Sequence, residues 1–319
     1  MTRSRLITAI LLVAGACALA ACDPVMLRDS PSPTPRPARA APPTQPEITQ
    51  PSEASRALSS YFARIQQNFL TRGLLRVDGG GPDTPFTSRQ LVDNFIRIAL
   101  YQEFSSVDGV LIRRENASQL NRWNGPIRMS VDFSASVPAD QRARDRREIV
   151  NYSQRLARLS GLNISLSPGN ANYHILIVSE DERVTLGPKL RALGVGFNEE
   201  SVAAVQNMGR ATYCQIFAFY DADTNTYTHA VAVIRAENPD LLRLSCIHEE
   251  LAQGLGLPND SPQARPSIFN DDEEFGLLTT HDEFLLRMLY DPRLRPGMTA
   301  TQARPIAETI AAELMGGES

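Results

Sequence analysis

Lysine is nearly absent from this chain: Lys189 is the one lysine among 32 basic residues, and the others are arginine. The arginines do not cluster, and 36 acidic residues leave a formal net charge of −4. Nucleic-acid binding calls for a basic stripe, so nothing here points to that partner. After residue 20 no apolar run approaches the length of a transmembrane helix. Membrane contact is therefore expected only at the N-terminus, with the remainder soluble. A Gly-rich phosphate loop and an internal repeat are both lacking, which removes phosphate-loop nucleotide binding and repeat arrays. The 319 residues, 42% hydrophobic and 21% charged, suffice for one large globular domain or at most two small ones.

Arg3 and Arg5 precede an apolar run, Leu6 to Ala20, too short to span a bilayer comfortably and of signal-peptide length. It ends in Leu19-Ala20-Ala21-Cys22, which resembles the lipobox of bacterial lipoproteins. The resemblance implies removal of residues 1–21 and acylation of Cys22, which becomes the new N-terminus. A plain secretory signal cut nearby is the alternative. Acyl chains anchor firmly, since each buried CH₂ contributes about 0.8 kcal/mol. Asp23 follows directly, and in such lipoproteins an aspartate there implies retention at the inner membrane. Nine of the 22 prolines fall in residues 23–55, where large apolar side chains are scarce. A segment of that composition cannot bury a core, so residues 22–55 should form a disordered, partly polyproline tether. The folded domain, residues 56–319, would then face the periplasm. Export also narrows the cysteine arithmetic. Cys17 leaves with the signal and Cys22 carries lipid, so Cys214 and Cys246 remain and are expected to form a disulfide.

Within the domain, Leu58, Phe62, Ile65 and Phe69 give residues 55–72 a helical apolar face. Residues 77–86 are Gly- and Pro-rich and form a loop. A helix follows over 89–101, with Thr87 or Ser88 available as its cap. Strands are expected in "GVLIRRE" and in "PIRMSVDF", where Ile127, Met129, Val131 and Phe133 alternate with polar residues. A charged amphipathic helix over 137–161 ends at Gly161. It precedes a strand pair in "NISLS" and "NYHILIVSEDE", and smaller helices near 186–208. Two apolar runs around "DADTN" predict a β-hairpin over 213–236. A helix from Asp240 to Leu255 and a last long helix from His281 to Tyr290 complete an α+β domain, with a largely twisted sheet against two main helices.

The stretch carrying the most chemistry is "CIHEELAQGLGLPND", Cys246 to Asp260. On a helix Glu249 and Gln253 stand at i and i+4 and project from one face. Zinc proteases place two histidines at that spacing. "EELAQGLGLPND" resembles the metzincin consensus with Glu249, Gln253 and Asn259 at the three ligand positions and Glu250 at the general-base position. Gly256 falls where the chain must turn. Carboxylate suits zinc, but neutral amide oxygens are poor zinc ligands. Hard oxygen sets suit Ca²⁺ or Mg²⁺, which want more ligands, and Asp260, Asn270, Asp271 and Asp272 are candidates to supply them. Structural explanations stand beside these. Ile247, Leu251 and Leu255 form an apolar stripe sufficient for a buried helix, and His248 lies one step outside the ligand frame. The acidic run 270–275 is ordinarily solvated. Tyr213, Tyr220 and Tyr227 are expected to pack, and Trp123 to fill the core.

"CIHEELAQGLGLPND", "PSIFND" and "LLRMLYDPRLRPGM" together resemble the DUF2927 family of bacterial proteins, over roughly residues 65–300. The order of elements around the 240–255 helix also resembles a zincin core. These resemblances imply a zincin-like, metallopeptidase-like mixed sheet with a long active-site-type helix, lacking the zinc-binding histidines. The function they imply is a binding or scaffolding role at the cell envelope, toward a protein, peptide or envelope polymer, with no cofactor. The alternative is a metal-dependent peptidase or hydrolase, with Glu250 as base and a divalent metal at Glu249, Gln253 and Asn259.

Overall fold

Alternating and helical apolar patterns in the domain resolve, in a computed structural model, into elements described over residues 50–107 and 110–316. The signal segment, Cys22 and nearly all of the tether lie outside the described residues. In chain order come α1 (Glu53–Thr71), α2 (Ser88–Ala99), β1 (Tyr101–Val107), β2 (Val110–Ala117) and β3 (Ile127–Phe133). Next are α3 (Ala139–Ser160), β4 (Ile164–Leu166), β5 (Tyr173–Val178), α4 (Glu180–Arg183), α5 (Gly187–Ala192) and α6 (Glu199–Gln206). Last are β6 (Cys214–Asp221), β7 (Thr226–Arg235), α7 (Asp240–Gln253), α8 (Thr280–Leu289) and α9 (Ala300–Leu314). No helix among the described residues is long and apolar enough to cross a membrane.

The main sheet runs β4-β3-β5-β7-β6. Its first four strands are parallel, and β6 pairs with β7 antiparallel at the edge. Here the expected pairing of "NISLS" with "NYHILIVSEDE" is corrected: β4 and β5 flank β3 on opposite sides instead of bonding each other. The cause is the helical crossover α3, which returns the chain parallel to β3 and so allows β4 and β5 only separate edges of it. The sheet is also covered on both faces. Ala230, Ala232 and Ile234 of β7 join the core under α3, α7, α8, α2 and α9. Val231 and Val233 face a second apolar cluster with Leu190 of α5 and Val202 and Val205 of α6. That alternation follows from the two-residue period of a strand, and it gives β7 the all-apolar run of a buried strand.

Several ends are set by local chemistry. Thr87 caps α2 in a reciprocal box with Gln90. Gly161 closes α3 in the left-handed region at φ 71. In α8 the cap is Thr279, which exchanges hydrogen bonds with Asp282 three residues on. Three elements were not expected, the first being α4, where the strand reading runs on through "SEDE". β1 pairs antiparallel with β2 in a two-stranded sheet, and α9 follows α8 despite Pro305 within it. Ser55 and Glu237 join α1 to the domain through a 2.6 Å hydrogen bond, and Phe62 packs edge-on against Tyr213.

Candidate functional site

The apolar stripe Ile247, Leu251 and Leu255 is fully buried and turns α7 into a strut beneath the sheet. Arg243 donates to Asp145 of α3 at 2.8 Å, with both side chains buried. Cys246 is disulfide-bonded to Cys214 at the start of β6, with Cα atoms 5.9 Å apart. The C-terminal carbonyls of a helix run short of intrahelical donors, and around the end of α7 buried aromatic side chains donate to the backbone carbonyls. Tyr173 donates to Glu250 O at 2.8 Å, Trp123 Nε1 to Gly254 O at 2.8 Å, and Tyr290 to Leu255 O at 2.7 Å. Trp123 therefore fills the core, as expected. A Cβ at Gly254 would collide with the Tyr173 hydroxyl. Gly256, at φ 126, turns the chain where a Cβ would meet Asn121 O at 2.5 Å.

Above this end of α7 lies a cleft of about 580 Å³. Glu249, Glu250 and Gln253 form its floor. One wall is β6 from Cys214 to Tyr220, whose outer edge pairs with no other strand among the described residues. Opposite are Gln102, Glu103 and Phe104 of β1, with Pro258, Asp260, Asp271 and Glu273 from the loop after α7. Tyr213, Tyr220 and Tyr227 all line the cleft, so their role exceeds the packing expected of them. Six lining residues are acidic, and no basic residue lines the cleft among the described residues.

The electrostatics follow from that composition. Burial pushes the Glu249 carboxyl well above the usual range, reinforced by Asp260 and Glu250. Burial, then Glu103 and Asp260, raise Glu250 likewise. Glu273 is pushed up to about 7, by burial and by Asp271 and Asp272. Both α7 glutamates also stand near the negative end of the helix dipole, where carboxylates are unfavourable and cations are favoured. Glu250 is 4% exposed, and its Oε2 has no hydrogen-bond partner.

Each residue singled out in the sequence can now be placed. Glu249, Gln253 and Glu250 share the cleft floor. Asn259 is 1% exposed, is not among the lining residues, and donates its amide to Arg97 O at 2.9 Å. Its neighbour Asp260 enters the cleft instead and accepts from Gln253 Nε2 at 2.9 Å. No group of three His, Cys, Asp or Glu among the described residues is arranged to hold a metal ion. The Gln253 amide presents its N–H to Asp260, and Asn259 spends its own on backbone. The donor set as it stands does not fit a zinc centre. His248 points away from the cleft: its Nδ1 accepts from Leu278 N–H at 3.1 Å, its ring stacks on Tyr152, and burial pushes it down to about 3. Glu103 and Glu273 escaped the sequence reading as individual residues. The acidic run 270–275 was the available signal for Glu273, and for Glu103 there was none.

An α+β domain with a mixed sheet and an acidic cleft over α7 is thus defined. The chain belongs to the DUF2927 family, proteins of unknown function, whose family model matches residues 88–309. That span begins at α2 and ends within α9, so it contains the whole cleft. No curated protein matches the chain, and no solved structure matches it.

Proposed function

We propose that this protein is a lipid-anchored binding module of the cell envelope, held at the membrane through Cys22 and its Pro-rich tether and facing the periplasm from the inner membrane. In this reading the domain is a zincin-like scaffold without the zinc histidines, and it binds an extended polypeptide along β6. One observation carries the proposal: the unpaired edge of β6 forms a wall of the cleft over α7. Edge strands of this kind recognise peptides by adding a strand, with main-chain hydrogen bonds giving affinity and flanking pockets giving selectivity. The aromatic residues Tyr213 and Tyr220 along the wall supply apolar contact area.

A metal-dependent hydrolase using Glu250 as base is the competing reading, and the unpartnered Oε2 in the cleft favours it. Without a metal, however, Glu250 has nothing to polarise a carbonyl or lower the pKa of water. The two readings separate in one set of measurements on the full chain, purified without a metal-affinity tag. Metal content is measured, peptide cleavage is compared with the E250A variant, and hydrogen exchange of residues 214–220 is followed upon adding a short alternating valine–threonine peptide. The expected result is slowed exchange along β6 with neither stoichiometric metal nor Glu250-dependent cleavage. Stoichiometric metal together with cleavage lost in E250A would overturn the binding reading and establish the hydrolase.

A further inference from the structure

We propose that the exposed face of α1 is a docking surface for anionic phospholipid headgroups of the bilayer that carries the anchor. The domain then lies against the membrane on α1 instead of drifting at the end of its tether. The inference rests on the lipid-anchor reading above and adds a second contact with the same membrane.

Its first support is where the chain enters the fold. The tether leads into Ser52, the N-cap of α1, so α1 is the folded element joined most directly to Cys22. Tethering holds such an element near the bilayer at high effective concentration. The family model begins at residue 88, which leaves α1 outside the part of the chain it matches. The helix is nevertheless fastened to that part. Phe62 is fully buried against Tyr213, and Gln66 accepts from Leu242 N–H at 2.9 Å. That bond satisfies a donor at the start of α7, where Pro239 has no side chain to do so. A contact made by α1 therefore orients the domain behind it.

The second support, independent of the first, is charge. Six arginines against four acids give residues 23–72 a formal charge of +2, and Arg3 and Arg5 add +2 before them. The total of −4 therefore leaves −8 on residues 73–319. An anionic surface attracts the first part and repels the second. On α1 itself Arg56, Arg64 and the C-cap residue Arg72 are exposed, and Glu53 is the one acid. Among the described residues neither Arg64 nor Arg72 pairs with a carboxylate, whereas Arg76, Arg191, Arg243 and Arg293 all do. Acids near α1 are already engaged: Asp181 accepts from Ser52 N–H, and Asp240 accepts from Arg243. Between the arginines Ala57, Ser60 and Ala63 are small and exposed, which lets headgroups approach the helix closely. Leu70, 42% exposed in the last turn, adds an apolar side chain that can enter the boundary between headgroups and acyl chains.

The test uses the full acylated chain, extracted from membranes in detergent and reconstituted into vesicles of brominated phosphatidylcholine, alone or mixed equally with phosphatidylglycerol. The native chain has one tryptophan, Trp123, which is buried. L70W and Y220W therefore each add one exposed reporter, and bromine quenches only a side chain that enters the bilayer. Tyr220 serves as the comparison because it lies at the far end of β6 from Tyr213, which α1 covers. L70W should be quenched on the anionic vesicles and not on the neutral ones, and Y220W on neither. Each arginine near an anionic surface shifts the docked-to-free ratio about fivefold. Adding R56Q/R64Q/R72Q to L70W should thus lower that ratio about a hundredfold, and high salt should act in the same direction. Equal quenching of L70W on both vesicles, or quenching that survives the three substitutions, would overturn docking by charge. Quenching of Y220W as strong as that of L70W would overturn a fixed docking face. An unquenched L70W on a chain that still floats with the vesicles would overturn the docking and leave the anchor standing. A chain that carries no acyl group and does not float would remove the anchor and this proposal together.

Discussion

In α7 the Glu250 side chain occupies a buried position with one oxygen unmatched, and glutamine would keep its volume while removing its charge. Neighbouring carboxylates make the ionised form still less favourable. E250Q should therefore stabilise the fold by about 1–3 kcal/mol above neutral pH, since an uncompensated buried charge is destabilising by at least that much. Urea unfolding at matched pH checks it. A loss of stability in E250Q would mean that the Glu250 charge is already balanced within the fold. At this scale the spacing of Glu249 and Gln253 was legible, because side chains four apart on a helix must share a face. The position of Asn259 was not. Whether residue 259 or 260 turns inward depends on Gly256 at φ 126 and on the Asn259 contact with Arg97, which lies 162 residues away in sequence.

Between elements, α7 is tied to β6 by Cys214–Cys246, closing a loop with a sequence separation of 32. Loop-closure entropy for that separation predicts that C214S/C246S loses about 3–4 kcal/mol. Equilibrium unfolding of the double variant against the native chain measures the loss, and an effect near zero would mean that packing alone holds β6 on α7. The variant should also loosen the cleft, because Cys214 begins the wall whose floor is α7. Most elements were legible because their apolar periods are strong: β3 alternates, α1 and α2 carry clear stripes, and the hairpin of β6 and β7 flanks a turn with Asn225 at φ 54. β1 was not, since its "YQEFSSV" mixes charge, hydroxyls and aromatics without alternation and gains its place by pairing with β2. In α9, Pro305 disfavours a helix locally, yet Ala303, Ala307 and Ile310 bury a face and tertiary packing overrides local propensity. The split of the sheet into β4-β3-β5 was hidden for another reason. A run such as "NYHILIV" specifies a buried strand and not which neighbour it takes.

Across the whole molecule, two kinds of buried titrating group act in opposite directions. The carboxyls of Glu249, Glu250 and Glu273 hold their protons to higher pH in the folded chain than in the unfolded one. Between their ordinary 4.5 and the raised values, the folded state binds more protons, so stability falls as pH rises. For Glu273, pushed up to about 7, this loss is on the order of 1–3 kcal/mol once pH exceeds 7. His248 does the reverse. Its ordinary value of 6.5 is pushed down to about 3 by burial and by Arg155, so below 6.5 the unfolded chain binds the extra proton and stability falls with acidification. Three carboxyls outweigh one imidazole between 6.5 and 4.5, and below that range only the imidazole of this set continues to act. Stability should therefore peak at about pH 4–4.5 and decline toward about pH 8, as the linkage between proton uptake and folding requires. Urea midpoints across this range measure the profile. E250Q should flatten its alkaline limb. H248N, whose amide oxygen can still accept from Leu278 N–H, should flatten the acid limb while lowering stability overall through the lost stack on Tyr152. A profile that instead climbs steadily from about pH 5 to 8 would show the cleft carboxyls to be ionised and neutralised within the fold, the charge state opposite to the one their burial dictates.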